Sequence, residues 1–184
     1  HLDDMVELSQ ELSFLEAYVQ VHKLRKGDSF RYVCQVPPEC MDVKIPKLLL
    51  QPFVENSLFH GFAQLSPDPQ LTLSAQILDR CLEIVIEDNG CGIAPDELLR
   101  IQRMDESPAA PGRRHGIGIG NVAARMRLCY GPSFGIQILS QPGQGTRVVI
   151  RTPLIRECEK TATPANAGVA APKGGNAWKR HTWG

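Results

Sequence analysis

The chain has 184 residues, a formal charge of zero and a pI near 7.1, and 42% of its residues are apolar. That is the length of one domain, with enough apolar content for one sizeable core, and the neutral balance argues against a dedicated nucleic-acid binder. No apolar run approaches the roughly 20 residues of a membrane span, and no secretory leader is expected at the start.

Residues 7–26 predict a helix. Leu8, Leu12, Leu15 and Val19 recur at helical intervals, and Phe14, Tyr18 and Val21 widen the stripe. Lys23, Arg25 and Lys26 crowd its end, where cations suit the helix dipole, and Gly27 stops it. A stripe this wide fits either one broad buried face or a second edge packed on a partner helix. Phe30 to Val36 alternates as a strand that Pro37-Pro38 ends, and Cys40 to Lys44 reads as a connector.

The stretch from Leu48 to Gly61 predicts the central helix, with Pro46 suited to a first-turn position and Gly61 to a stop. At about 100° per residue, Leu50, Phe53, Val54, Ser57 and Leu58 share one face, while Gln51, Glu55, Asn56 and His60 share the other. Taken alone, an ordinary amphipathic helix with a solvated face explains those residues as well as a polar site does.

A Pro-rich loop, 64–70, follows. Leu71 to Leu78 and Cys81 to Glu87 alternate as two strands joined at Asp79-Arg80, a hairpin with one buried face. The second strand runs into Asp88-Asn89-Gly90-Cys91-Gly92-Ile93. Asp-Asn-Gly is an ordinary turn signal. The spaced glycines after a buried strand also suit a pocket, because they let backbone approach a flat ligand while the Asp accepts a hydrogen bond from an amine edge.

Pro95 opens a short helix, 96–103, with acids in its first turn. Residues 104–114 carry no periodicity and read as a mobile lid loop. His115-Gly116-Ile117-Gly118-Ile119-Gly120-Asn121 then opens a helix to about Tyr130, with free N–H groups suited to an anion. Neither a dinucleotide fingerprint nor a Walker loop is matched there. Phe134 to Ser140 and Arg147 to Arg151 are strands joined through Pro142-Gly143-Gln144-Gly145, with Thr146 opening the return strand. From Thr161 the chain is low in apolar content and reads as disordered, with Trp178 and Trp183 the only candidates for docking. The six cysteines, Cys34, Cys40, Cys81, Cys91, Cys129 and Cys158, form no Cys-x-x-Cys pair and no cluster with His. Reduced thiols are expected rather than zinc or disulfides.

Four stretches stand in one order: Gln51-Pro52-Phe53-Val54-Glu55-Asn56 with His60-Gly61, Asp88-Asn89-Gly90-Cys91-Gly92-Ile93, Gly116-Ile117-Gly118 with Asn121, and Gly143-Gln144-Gly145-Thr146. This order resembles the N box, G1 box, G2 box and closing Gly-Thr of the Bergerat-fold ATPases, the superfamily of gyrase, MutL and histidine kinases. The wording is closer still to the LytS/YehU-type sensor histidine kinases. Glu11-Leu12-Ser13-Phe14-Leu15-Glu16-Ala17-Tyr18 with Leu24-Arg25-Lys26-Gly27-Asp28 is similar to the helix leading into their ATPase domain. The match covers about residues 7–154.

The resemblance implies an α/β two-layer sandwich, a mixed and mostly antiparallel sheet with helices on one face. It divides the chain into a linker helix from the dimerisation and phosphoacceptor region (1–28), the ATP-binding domain (29–155) and the tail (156–184). It implies ATP and Mg²⁺, with Asn56 ligating Mg²⁺, Asp88 reading the adenine amine, and Gly90, Gly92 and Ile93 shaping the adenine pocket. Gly116, Ile117, Gly118 and Asn121 would face the phosphates, with Thr146 near the Asp88 end. His60 would be structural or phosphate-adjacent. Glu55 would either orient a proton acceptor or face solvent.

In the resembled family the position three after the Mg²⁺-ligating Asn is often Lys, and here it is Phe59. The ring either packs under the first helix or stands at the pocket mouth and leaves the phosphates one cation short. The phosphoacceptor motif of that family is not matched, so the expected activity is the catalytic half of a histidine kinase. It would serve a phosphoacceptor helix elsewhere in a homodimeric, membrane-anchored sensor, with a response regulator downstream and this domain in the cytoplasm. The alternatives are a non-kinase Bergerat ATPase and a non-catalytic nucleotide-gated interaction module.

Overall fold

The computed structural model describes residues 5–27, 29–62, 68–104, 117–131 and 133–156. In chain order these form β1 (Met5–Glu7), α1 (Leu8–Lys26), β2 (Arg31–Gln35), a 3₁₀ turn (Pro38–Cys40), β3 (Lys44–Pro46) and α2 (Gln51–Asn56). α2 continues as a π-helical turn (Ser57–Gly61), followed by β4 (Gln70–Leu78), β5 (Cys81–Asp88), α3 (Pro95–Met104), α4 (Ile117–Tyr130), β6 (Gly135–Gln141) and β7 (Gly145–Pro153). The expected tail and the heart of the expected lid loop lie outside the described residues.

The main sheet has the order β2-β4-β5-β7-β6. Only β2 and β4 run parallel; the other pairs are antiparallel. The pleat sorts the residues by face. Leu71, Leu73, Ala75, Leu82, Ile84, Ile86, Val148 and Ile150 join one buried cluster with Leu8, Leu15 and Val19 of α1, Phe53 and Val54 of α2, and Val122 and Met126 of α4. Helices therefore cover one face, giving the expected sandwich. On the opposite face Glu83 pairs with Arg151 at 2.8 Å and Glu87 with Arg147, each opposite its partner in the β5–β7 register.

Three local expectations change. The central helix starts at Gln51, and Pro52 rather than Pro46 takes the first turn. Pro46 ends β3, which pairs antiparallel with β1, so the expected connector carries a small two-stranded sheet. Leu48 has φ +57°, outside the right-handed helical region, so the helix cannot extend back through it. Finally, β5 is buried on both faces from Leu82 to Ile86, with Glu83 and Val85 each 8% exposed, while Glu87 beside Arg147 stays exposed. The hairpin expected to have one buried face thus contributes a central strand.

α1 carries two apolar edges. Leu8, Leu15 and Val19 face the core, while Phe14, Val21 and Leu24 remain exposed. Near the C-terminal end of the core-facing stripe, His22 is buried and sets its ring edge against Phe59, with centroids 5.3 Å apart. Phe59 thus packs on the first helix. It does not line the cleft described next, and the reading that put it at the pocket mouth is corrected.

Candidate functional site

The core face of the sheet turns polar at one end. The cross-strand row there reads Leu71, Asp88, Thr146, Ser140 on β4, β5, β7 and β6. The apolar alternation of β5 ends in a carboxylate just where the strand leaves the core, so the sequence delivers an acid to the rim of an apolar floor. Asp88 is 5% exposed. Ser57 Oγ donates to its Oδ2 at 2.6 Å, and the Gly90 N–H donates to its Oδ1 at 2.9 Å. Two donors fill part of a carboxylate's four lone-pair directions and leave room for another.

Over this row lies a cleft of about 190 Å³. Its apolar walls include Phe53, Ile93, Ile101, Ile138 and Val148, and Asn56, His60, Asp88 and Thr146 supply polar groups. Of the expected site residues, Asn56, His60, Asp88, Gly92, Ile93 and Thr146 therefore come together around one space. Gly90 stands just behind it, close against the end of the π turn. A Cβ there would lie 2.3 Å from the Gly61 carbonyl oxygen. The strap from Asp88 to Ile93 is tied to the end of the π turn by the Cys91 N–H to Gly61 O bond at 2.8 Å. Gly92 has φ +70° and would put a Cβ 2.0 Å from the Gln141 carbonyl oxygen, so this position takes no side chain. The Ser140 hydroxyl is 3.0 Å from that of Thr146, and its oxygen accepts the Ile93 N–H at 2.8 Å, pinning the strap from the β6 side.

Glu55 does not line the cleft. Its carboxylate accepts from Gln51 Nε2 at 2.7 Å and faces α1, where burial and then the Glu55 charge push the Tyr18 phenol up from its ordinary range. Ile117, Gly118 and Asn121 open α4, but the side chains of 117–121 and the whole of Gly116 lie outside the described residues. Sequence reasoning missed Ser57, Gly61 and Cys91. The helical wheel puts Ser57 on the core face of α2, and only the pairing of that face with the end of β5 shows that its hydroxyl serves Asp88. Among the described residues no group of three or more His, Cys, Asp or Glu side chains is arranged to hold a metal.

Residues 41–156 match the model of the family described as histidine kinase-, DNA gyrase B-, and HSP90-like ATPases. The chain belongs to this family. Its relatives include the sensor histidine kinase YesM of Bacillus subtilis, 29% identical over 84% of this chain and 25% of that protein. The sensor histidine kinase YpdA of Escherichia coli is 30% identical over 77% of this chain and 24% of that protein. The chain thus spans about a quarter of the length of these relatives. Among solved structures, the Acinetobacter baumannii histidine kinase AdeS superposes with a TM-score of 0.57 at 14% identity, covering 82% of this chain and 66% of that one. A histidine kinase domain from the Erythrobacter litoralis blue-light kinase gives 0.52 at 18% identity, covering 77% and 60%. The histidine-kinase-type ATPase fold implied by the four motifs is borne out. No helix among the described residues is long and apolar enough to cross a membrane.

Proposed function

We propose that the chain is the catalytic ATP-binding part of a sensor histidine kinase, and that it passes the γ-phosphoryl group of ATP to a histidine on a helix outside these 184 residues. The observation that carries this reading is the cleft in which a buried, pre-oriented Asp88 shares one apolar-walled space with Asn56 and His60. The enclosed volume of about 190 Å³ is below the roughly 300–1,000 Å³ that swallows a drug-sized ligand whole. It suits a nucleobase, with sugar and phosphates outside. Asp88 accepts from the adenine amine, while Ser57 and Gly90 hold the carboxylate in register. Ile93, Ile138 and Val148 exclude water from the ring faces.

Asn56 fits Mg²⁺ through its amide oxygen, because magnesium keeps several waters and needs few protein ligands when phosphates supply the rest. Bound there, the ion would neutralise charge on the phosphate oxygens, which is what phosphoryl transfer chiefly requires. Thr146 sits beside Asp88 in the base-reading row, and His60 stands on the cleft's polar side. Gly116, Ile117, Gly118 and Asn121 would present the start of α4 to the phosphates. The same reading supplies the partners: the phosphoacceptor helix, a second kinase subunit against the exposed edge of α1, and a response regulator downstream. It places this part of a membrane-anchored sensor in the cytoplasm.

The test is incubation with γ-labelled ATP and a separate phosphoacceptor-helix protein. Acid-labile label on a histidine supports the kinase. Release of free phosphate alone replaces it with an ATPase, and neither product replaces it with a nucleotide-gated module.

A further inference from the structure

The turn that leads into α2 is held by a buried acid from another helix. Glu11 on α1 is 4% exposed. Its Oε2 accepts the Leu48 N–H at 3.0 Å and its Oε1 accepts the Leu50 N–H at 3.1 Å. Both carboxylate oxygens thus bind backbone, as a buried acid must if its desolvation is to be offset. The grip falls on a conformationally costly turn, since Leu48 has φ +57°. Leu50, the residue that precedes α2, has no side-chain cap of its own. From the other side, Arg125 on α4 donates from Nη2 to the Lys47 carbonyl at 2.7 Å.

We infer that Glu11 is a positioning residue for Asn56, setting where that amide stands relative to the base pocket. α2 with its π turn is held at two ends. Its far end is fixed to the base pocket by Ser57 on Asp88 and by Cys91 on Gly61. Its near end is fixed to α1 by Glu11. Asn56 is the last residue of α2, one residue before the Ser57 anchor and about 100° round the helix from it. Releasing the near end lets α2 roll on the Ser57–Asp88 contact, so Asp88 keeps its place and the Asn56 amide swings. The base subsite and the Mg²⁺-phosphate subsite should therefore respond differently to the same change, which a general loss of stability would not produce. The inference rests on the proposed nucleotide reading of the cleft.

The test titrates the full chain with adenosine and with ADP in the presence and absence of Mg²⁺, by calorimetry. Wild type that binds neither ligand refutes the nucleotide reading itself. Glu11→Gln keeps the shape of the side chain but offers one acceptor oxygen to two N–H donors. It should lower the Mg²⁺-dependent affinity for ADP about five- to tenfold, in the range of one charge-assisted hydrogen bond. Adenosine affinity should change less than about twofold. Backbone amide exchange at Leu48 or Leu50 should speed up in the same variant. Equal losses for both ligands overturn the inference, as does unchanged ADP affinity with faster exchange. Should the variant give no cooperative melt, Leu48→Gly is added, because Gly takes φ +57° without strain, and the same titrations decide.

Discussion

Gly90→Ala tests a close backbone approach beside the cleft. The added methyl would stand 2.3 Å from the Gly61 carbonyl oxygen, 2.5 Å from its carbon and 2.7 Å from its Cα. All three are backbone atoms at the end of the π turn, so no side chain can swing aside. Ordinary contact between heavy atoms begins near 3.5 Å, so the strap and the turn must part by about 1 Å. The Cys91 N–H to Gly61 O bond, now 2.8 Å, crosses the same gap and would stretch out of range. Overpacking of this kind costs about 1–3 kcal/mol. The lost hydrogen bond adds about 0.5–1.5 kcal/mol, for a total near 2–4 kcal/mol. At about 2–4 °C per kcal/mol for a chain of this length, the melting temperature should fall by about 4–16 °C. Thermal and urea melts followed by circular dichroism measure the loss of stability and adenosine titration the effect on the base site, with affinity expected to drop more than about tenfold, or 1.4 kcal/mol. A variant within about 1 kcal/mol of wild type would refute the close approach. A destabilised variant with unchanged adenosine affinity would remove the strap from the base site.

Asn56→Ala should erase the Mg²⁺-dependent increment in ATP affinity while leaving the melt within about 1 kcal/mol of wild type, since the side chain is only half-buried; a retained increment in calorimetry places the metal elsewhere. Phe59→Lys should tighten ATP binding less than about threefold, because the ring sits against His22 and the new cation would start outside the cleft; a gain of tenfold would restore the pocket-mouth reading. Glu83 carries a pH-dependent share of stability. Hydrogen bonds from Gln76 and Arg151 hold its carboxyl below the ordinary range. A depressed folded value means the contribution is present above the unfolded value and is lost as pH falls through the folded one. Wild type should therefore exceed Glu83→Gln in urea midpoint at pH 7, and the two should converge below about pH 4; a constant gap across that range would show that the charge is not what matters.

Much of this was legible because each motif lies where a regular element ends. The alternation of Leu82, Ile84 and Ile86 fixes which face of β5 is buried, and so which way Asp88 points. The wheel through Leu50, Phe53, Val54, Ser57 and Leu58 likewise fixes the buried face of α2. The register that sets Thr146 opposite Asp88 and Ser140 opposite Thr146 is a long-range fact, and no local pattern states it. Nor does any local pattern announce the π turn. A bond reaching five residues on turns the chain through less than the 100° per residue of an α-helix, so a wheel drawn at 100° misplaces everything after Asn56. β1 and β3 escaped notice because three-residue strands carry no readable period. Adjacency to Asn56 in the chain suggests a site role for Glu55, yet it stands nearer α1 on the helix surface and bonds Gln51 one turn back.

The base-reading end of the cleft makes a prediction that needs no phosphate. Asp88 is buried and acceptor-only when ionised, and two of its lone-pair directions are already filled by Ser57 and Gly90. A ligand edge bearing an amine supplies the missing donor. An edge bearing a carbonyl sets acceptor against acceptor in a site that water cannot rescue, and leaves a buried polar group unpaired. Sites that hydrogen-bond a particular N–H reject analogues lacking it far more strongly than apolar slots reject a misfit in size. The preference for adenine over guanine should therefore be carried by the base alone. Adenosine over guanosine, measured without Mg²⁺, should show the same ratio as ATP over GTP measured with it. Asp88→Asn should collapse both ratios together, because the amide can present either a donor or an acceptor. A preference seen only with the triphosphates would mean that the residues reading the base are not Asp88 and its row.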